Sequence, residues 1–157
     1  MTLNERVMAM EHDLLSCLQE NLRIPSVEGV PAEGAPYGIH CRRSLDHVLA
    51  AADAMGFKTC NMDGHIGWCE YGEGEELVGI LGHVDVVPAG EGWSYPPYDI
   101  TVDGDNIYGR GTIDDKGPSV AVLYAVKCIT DLGIPIKDNF RIIFGGNEER
   151  GCTDIAY

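Results

Sequence analysis

Three short segments of this sequence carry imidazole and carboxylate side chains, the groups that bind zinc in proteins. They are His83-Val84-Asp85, Asp114-Asp115-Lys116 and Glu148-Glu149. The first and third follow apolar runs that are predicted to be strands, and the second lies between a predicted hairpin and a predicted helix. In open α/β sheets, sites form outside the carboxyl ends of the strands. All three segments could therefore converge on one edge of a sheet.

The stretch LGHVDVVP places a histidine and an aspartate two residues apart. In extended backbone, residues two apart point to the same side. An imidazole that binds a metal through one ring nitrogen needs an acceptor for the other, and a carboxylate commonly supplies it. We therefore predict His83 as a metal ligand with Asp85 behind it. The structural alternative is a surface histidine beside an aspartate.

The stretch GRGTIDDKGP contains two adjacent acids, Asp114 and Asp115. Two carboxylates in a partly buried turn repel each other unless a cation sits between them. One carboxylate can also bridge two metal ions. The structural alternative is a pair of acids at a helix start, where negative charge is favoured.

Glu148 and Glu149 in the stretch NEER form a second pair of acids. In a regular strand they would face opposite sides. At a strand end the backbone can turn, so one could bind a metal while the other takes a proton from the metal's water. The structural alternative is a solvated acidic turn.

Helices and strands that could position these residues alternate along the chain. Thr2 and Glu5 form a capping box that starts a helix predicted to reach about Asn21. The nearly continuous apolar run 77–81 predicts a strand buried on both faces, as in an α/β sheet. A hairpin is predicted at Asp63-Gly64. Further helices are expected at 41–55 and 117–132, a strand at 140–145, and the start of a helix at Thr153 or Asp154.

The composition narrows the class of protein. The chain has 11 basic and 25 acidic residues and a net charge of −14, which makes nucleic acid an unsuitable partner. It has neither a secretory signal nor an apolar run long enough for a membrane span. Six cysteines without a C-x-x-C pair fit reduced thiols, so we predict a cytoplasmic protein.

The segments LGHVDVVPAGEGW, IYGRGTIDDKGPS and NEE resemble, in order and spacing, the cocatalytic zinc peptidases that include carboxypeptidase G, acetylornithine deacetylase and succinyl-diaminopimelate desuccinylase. The flanking stretches LRIPSV, APYG and YGEGEELVGILG are similar to the dipeptidase V branch. The resemblance implies a mixed, mostly parallel sheet flanked by helices, as in zinc aminopeptidase and carboxypeptidase catalytic domains.

The resemblance also implies a role for each candidate residue. His83 would bind one zinc ion with Asp85 behind it, Asp115 would bridge both ions and precede a cis peptide bond, and Glu149 would bind the second ion. Glu148 would be the general base for attack of a metal-bound hydroxide on a dipeptide amide bond. Manganese or cobalt could replace zinc.

The family pattern extends beyond this sequence. Members have a further acidic ligand after the Glu-Glu pair, a histidine near the end of a longer chain, and a lid or dimerisation domain. We therefore expect residues 1–157 to be the N-terminal portion of a truncated catalytic domain, inactive alone. Its unfinished sheet could support self-association. Two alternatives stay open: an N-acyl amino acid amidohydrolase of the same family, or a non-catalytic remnant.

Overall fold

A four-stranded sheet with helices packed on one face forms the centre of the computed structural model, which describes residues 1–157. A separate two-stranded hairpin lies in the segment before the last helix. In chain order the elements are α1 (Leu3–Ala9), α2 (Glu11–Leu22), α3 (Ile39–Ala54), β1 (Lys58–Met62), β2 (Ile66–Tyr71), β3 (Leu77–His83), β4 (Thr101–Asp103), β5 (Asn106–Tyr108), α4 (Lys116–Asp131) and β6 (Asn139–Gly145), followed by a 3₁₀ turn at Glu148–Arg150.

The sheet has the strand order β1-β2-β6-β3. The β3–β6 pairing is parallel, and the β1–β2 and β2–β6 pairings are antiparallel. The predicted mixed α/β fold is confirmed, but only one of the three pairings is parallel. The predicted hairpin accounts for the antiparallel β1–β2 pairing, because Asp63 and Gly64 adopt φ values of +52° and +79° and turn the chain back on itself.

The strand β3 lies at the edge of the sheet and its large apolar side chains are mostly exposed, so the prediction that it is buried on both faces is wrong. Leu77 and Leu81 are 50% and 57% exposed. The apolar run was read correctly as a strand, but β6 pairs with it on one side only. An unpaired apolar edge of this kind is a surface on which another strand could add.

The predicted first helix is divided into α1 and α2 at Met10. The capping box of Thr2 and Glu5 is present at the start of α1. Met10 is 5% exposed and ends α1 with its N–H bonded to the Val7 carbonyl. No residue of α1 is buried, whereas α2 packs against α4. The expected helix at the end of the chain is instead a series of turns over 153–156.

The main core lies between the helices α3 and α4 and one face of the sheet. Phe144 and Ile142 of β6 and Cys69 of β2 point into this core, together with Leu45 of α3 and Leu123 of α4. The core therefore packs the middle of α4 against the sheet. No helix in the structure has both the length and the apolarity needed to cross a membrane.

The Asp63-Gly64 turn provides a test of this hairpin. A Cβ at Gly64 would collide with the carbonyl oxygen of Gly34, and the φ of +79° disfavours any L side chain. We expect Gly64→Ala to lower the free energy of unfolding by about 2–4 kcal/mol, from overpacking and backbone strain together. Urea denaturation measures this change.

Gly79 in β3 supplies the matched control, because a Cβ there meets nothing within 4 Å and its φ is not positive. Gly79→Ala should change the free energy of unfolding by less than about 0.5 kcal/mol. Equal effects of the two substitutions would contradict the turn geometry described here.

Candidate active site

The parallel pairing of β3 and β6 brings two of the candidate segments together. His83, the last residue of β3, is registered against Gly145, the last residue of β6. The chain segments that leave these two strands carry Asp85 and Glu148. The third segment lies at the start of α4, which packs against β3 and β6. Residues 65 positions apart therefore meet at one rim of the sheet.

The imidazole of His83 is nearly enclosed, with 6% of the residue exposed, and has acids on both sides. Its Nδ1 lies 3.3 Å from Oδ1 of Asp85 and 3.2 Å from the Asp85 carbonyl oxygen. Its Nε2 lies 3.0 Å from Oδ1 of Asp114 and 3.7 Å from Oε2 of Glu148. The Nε2 side of the ring therefore faces two carboxylates.

The carboxylate of Asp85 is buried and links two loops. Its Oδ1 accepts a hydrogen bond from the N–H of Glu148, and its Oδ2 accepts one from the N–H of Glu149, both at 3.1 Å. Asp85 is only 1% exposed, and a buried carboxylate needs such donors to offset the loss of water. Asp85 thus holds the imidazole and the Glu148-Glu149 turn at the same time.

The structure gives the two adjacent aspartates different surroundings. Oδ2 of Asp115 accepts hydrogen bonds from the backbone N–H of His83 at 3.0 Å and from Oγ of Ser119 at 3.2 Å. Asp115 therefore anchors strand β3, and its neighbour Asp114 is the acid that faces Nε2 of His83. The cis peptide bond joins Asp114 to Asp115 and so precedes Asp115 instead of following it.

A glycine at position 82 makes this anchoring possible. A Cβ at Gly82 would lie 2.6 Å from Oδ2 of Asp115, closer than real side-chain carbons approach. The side chain of Asp114, by contrast, is 70% exposed and free to meet a ligand. The two adjacent acids therefore differ in exposure and in hydrogen-bond partners.

The acids around the rim shift the protonation equilibria of its residues. Burial alone would lower the pKa of His83, but the hydrogen bond and charge of Asp85, the hydrogen bond of Asp114 and the charge of Asp115 raise it to about 9. Burial raises the pKa of the Glu149 carboxyl, and repulsion from Asp114 adds to this effect. Glu149 therefore lies within electrostatic reach of Asp114 and His83.

Lys116, which follows the acid pair, has a structural role that its sequence context did not reveal. Its Nζ is buried and donates to the carbonyl oxygens of Asn21 and Ile24, each at 2.8 Å. Burial lowers the pKa of this ammonium group to about 7. Lys116 thereby ties the start of α4 to the end of α2.

Two polar residues also hold the loop that carries the glutamates. Oδ2 of Asp154 accepts the N–H of Asn147 at 2.9 Å, and Oδ1 of Asn147 accepts the Oγ1–H of Thr153 at 2.9 Å. Asn147 and Asp154 are both 1% exposed. The sequence pattern predicts Asp154 only as a helix cap, and the signal for its role in anchoring the loop is its position a few residues after the glutamate pair.

The imidazole nitrogen and carboxylate oxygens at this rim are atoms of the kind that bind divalent metal ions. Two ligands of one tetrahedral zinc ion, each at about 2.0–2.1 Å, lie roughly 3.3 Å apart. The separation of 3.0 Å between Nε2 of His83 and Oδ1 of Asp114 is close to that value. No group of three or more His, Cys, Asp or Glu side chains is arranged to hold a metal ion as it stands. The rim therefore fits part of a metal site.

The chain that carries this rim is similar to known peptidases. Residues 79–156 match the family model described as Peptidase family M20/M25/M40. A Bacillus subtilis (strain 168) protein named "Putative dipeptidase YtjP" is 42% identical over 145 residues, 91% of this chain and 31% of the relative. A Staphylococcus aureus (strain USA300) protein with the same type of name is 40% identical over 154 residues, 96% of this chain and 33% of the relative. The chain thus spans about a third of these relatives.

Solved structures share the fold. Human carnosine dipeptidase 1 aligns with a TM-score of 0.84 at 23% identity, over 98% of this chain and 36% of that one. The M20 family metallo-carboxypeptidase Sso-CP2 of Sulfolobus solfataricus aligns with a TM-score of 0.73 at 26% identity, over 87% of this chain and 31% of that one. The family resemblance and the α/β fold predicted from the sequence are confirmed.

The acids around His83 lead to a prediction for the metal-free chain. Because its folded-state pKa is about 9, the imidazole should stay protonated well above its ordinary value of about 6.5. This interaction stabilises the fold fully below about pH 6.5 and is lost as the pH rises through about 9. Ring ¹⁵N chemical shifts followed from pH 5 to 10 should show a His83 midpoint near 9. A midpoint at or below 6.5 would contradict the contacts described here.

Proposed function

Because residues 79–156 belong to the M20/M25/M40 peptidase family, we propose that this chain carries part of the catalytic centre of a metal-dependent dipeptidase. The observation that supports the proposal is the convergence of Asp114 and Glu148 on Nε2 of His83 at the end of β3. The relatives named as dipeptidases support the substrate class.

The residues that would hold metal are His83, Asp114 and Glu149. Asp114 takes the bridging role expected of Asp115, because Asp115 is occupied by the backbone N–H of His83 and by Ser119. When bound, a divalent ion would polarise the scissile carbonyl and lower the pKa of a water molecule. We favour zinc, with manganese or cobalt as possible substitutes, since imidazole and carboxylate ligands suit all three.

The side chain of Asp85 sets the state of the imidazole. An acceptor on the Nδ1 side keeps a proton on Nδ1, so a metal ion that displaces the Nε2 proton would bind the lone pair of Nε2. The same carboxylate fixes the backbone of Glu148 and Glu149 through their N–H groups. One buried acid thus orients a ligand and the base together.

Glu148 is the general base in this proposal. Its carboxylate is 46% exposed and reaches within 3.7 Å of Nε2 of His83, so it borders the space that water and substrate would share. A carboxylate so placed can take a proton from the attacking water and return it to the leaving amine. Asp85 fixes the backbone of Glu148 through its N–H group, and the carboxylate of Glu148 remains partly exposed.

The extent and location of the whole protein are part of the same proposal. We infer that residues 1–157 form the N-terminal portion of a catalytic domain whose lid or dimerisation domain and remaining ligands lie outside this sequence. The chain covers 31–33% of the relatives described above, which supports this division. A cytoplasmic location stays a prediction from the composition, as does self-association through the edge of β3.

Zinc titration separates the roles of the two aspartates. We expect residues 1–157 to bind zinc weakly, as measured by isothermal titration calorimetry. His83→Ala and Asp114→Asn should each weaken this binding at least about tenfold, because each removes a ligand atom. Asp115→Asn should change it less than about threefold, because the amide oxygen can still accept the N–H of His83. Loss of zinc binding in Asp115→Asn alone, with the fold intact by circular dichroism, would contradict the assignment.

A substrate panel tests the activity. The full product of the reading frame that encodes this chain should hydrolyse dipeptides faster than N-acetyl or N-succinyl amino acids when zinc or manganese is supplied. Residues 1–157 alone should show little or no turnover, because three ligands cannot complete two metal sites. Faster hydrolysis of the N-acyl amino acids would favour the amidohydrolase alternative. Robust turnover by the 157-residue chain would refute the inference that the site is incomplete.

A further inference from the structure

A cavity of about 600 Å³ lies beside the rim and has no part in the function proposed above. Its volume is in the range of small-molecule sites, about 300–1,000 Å³. Aromatic side chains and one arginine form much of its wall. The residues that line it include Ala89, Glu91, Trp93, Tyr95, Tyr108 and Arg110.

The chain itself keeps this cavity close to the candidate active site. Ala89 follows Asp85 by four residues, and Arg110 precedes Asp114 by four residues. Four residues span at most about 14 Å, so each of these Cα–Cα separations is shorter than that limit. The wall of the cavity and the rim are therefore neighbouring parts of the chain.

Arg110 differs from the other half-buried arginines of the chain. Arg6, Arg42 and Arg141 each form an ion pair with a carboxylate, to Asp131, Asp46 and Glu70 respectively. Arg110 forms none, in a chain with 25 acidic residues. Its Nε is buried without a hydrogen-bond acceptor, and its Nη2 makes only a 3.4 Å bond to the Ala89 carbonyl. A guanidinium group in this state lacks an anionic partner.

The aromatic walls hold the guanidinium group in a defined orientation. It lies 5.3 Å from the ring centroid of Trp93, whose Nε1 donates to the Ala89 carbonyl at 2.8 Å. Tyr95 and Tyr108 form a tilted pair with centroids 4.9 Å apart. Glu91 lines the same cavity but is exposed and is not paired with Arg110. Stacking fixes the plane of an arginine and leaves its donors available for a carboxylate.

We propose that this cavity binds a carboxylate group of a peptide ligand through Arg110, with Trp93, Tyr95 and Tyr108 packing on the rest of the bound residue. The identification of the ligand as a substrate rests on the proposed dipeptidase function. The carboxylate comes from an acidic side chain or from the free C-terminus of the peptide, and both present the same planar pair of oxygens to the arginine.

Trp93 reports directly on binding, because its ring touches the guanidinium group. The chain has two tryptophans, so Trp68→Phe leaves Trp93 as the single fluorophore. In this background, with EDTA present, glycyl-glutamate should change the fluorescence in a saturable way. Glycyl-glutamate amide, blocked at its C-terminus, tests the side-chain carboxylate, and glycyl-glutamine tests the C-terminal one. Glycyl-glutamine amide has no carboxylate and should not bind.

Substitutions at Arg110 complete the test. Arg110→Gln should weaken the binding of the active probe roughly 10- to 100-fold, and Arg110→Lys should weaken it less, because the charge stays while the paired donors are lost. Arg43→Gln is the matched control, since Arg43 is exposed and has no ion pair, and it should leave binding unchanged. Circular dichroism confirms that each variant is folded.

Three results would overturn this proposal: binding of the uncharged amide as tight as that of glycyl-glutamate, unchanged binding in folded Arg110→Gln and Arg110→Lys, or no saturable response to any carboxylate probe. The measurement needs neither metal nor turnover. A failure of the zinc or hydrolysis experiments with intact probe binding would therefore count against the proposed dipeptidase function and leave the carboxylate site standing.

Discussion

The buried carboxylate of Asp85 is the constraint on which the geometry of the rim depends. With 1% of the residue exposed, it has exchanged water for the Nδ1 side of His83 and the N–H groups of Glu148 and Glu149. Burial of a charge without such partners costs several kcal/mol, so the three partners must remain in place for the fold to tolerate it. The position of one acid therefore determines the positions of the imidazole and of both glutamates.

A second set of contacts fixes the strand ends that carry these residues. Asp115 binds the N–H of His83 from the start of α4, and Asp154 binds the N–H of Asn147 from the end of the described chain. Each anchor depends on a neighbouring glycine, because a Cβ at Gly82 or at Gly145 would collide with the anchoring carboxylate. The glycines in LGH and FGGN are thus part of the site, since they admit the acids that hold the two strand ends.

The sequence allowed the convergence of the three segments to be predicted, because the residues that follow neighbouring parallel strands lie at the same edge of an α/β sheet. It did not allow the partners of Asp114 and Asp115 to be predicted, since the two residues are of the same type and differ only in the local direction of the backbone. The exposure of β3 could not be predicted either, because an apolar run such as 77–81 has the same sequence pattern in a covered strand and in an uncovered one. The break between α1 and α2 at Met10 could not be predicted, because no glycine or proline lies there.

The contacts of the acids show how a rim of this kind can form before any ligand arrives. Both oxygens of Asp85 and Oδ2 of Asp115 accept backbone N–H groups, whereas the side chains of Asp114 and Glu148 are 70% and 46% exposed. The first two stabilise the fold through hydrogen bonds that need no cation. The second two are close to His83 and have exposed oxygens, and the charge of Asp114 adds to the burial that raises the pKa of Glu149. A cation at the rim would offset the charge of these acids, because an opposite charge nearby favours the ionised form of a carboxyl group.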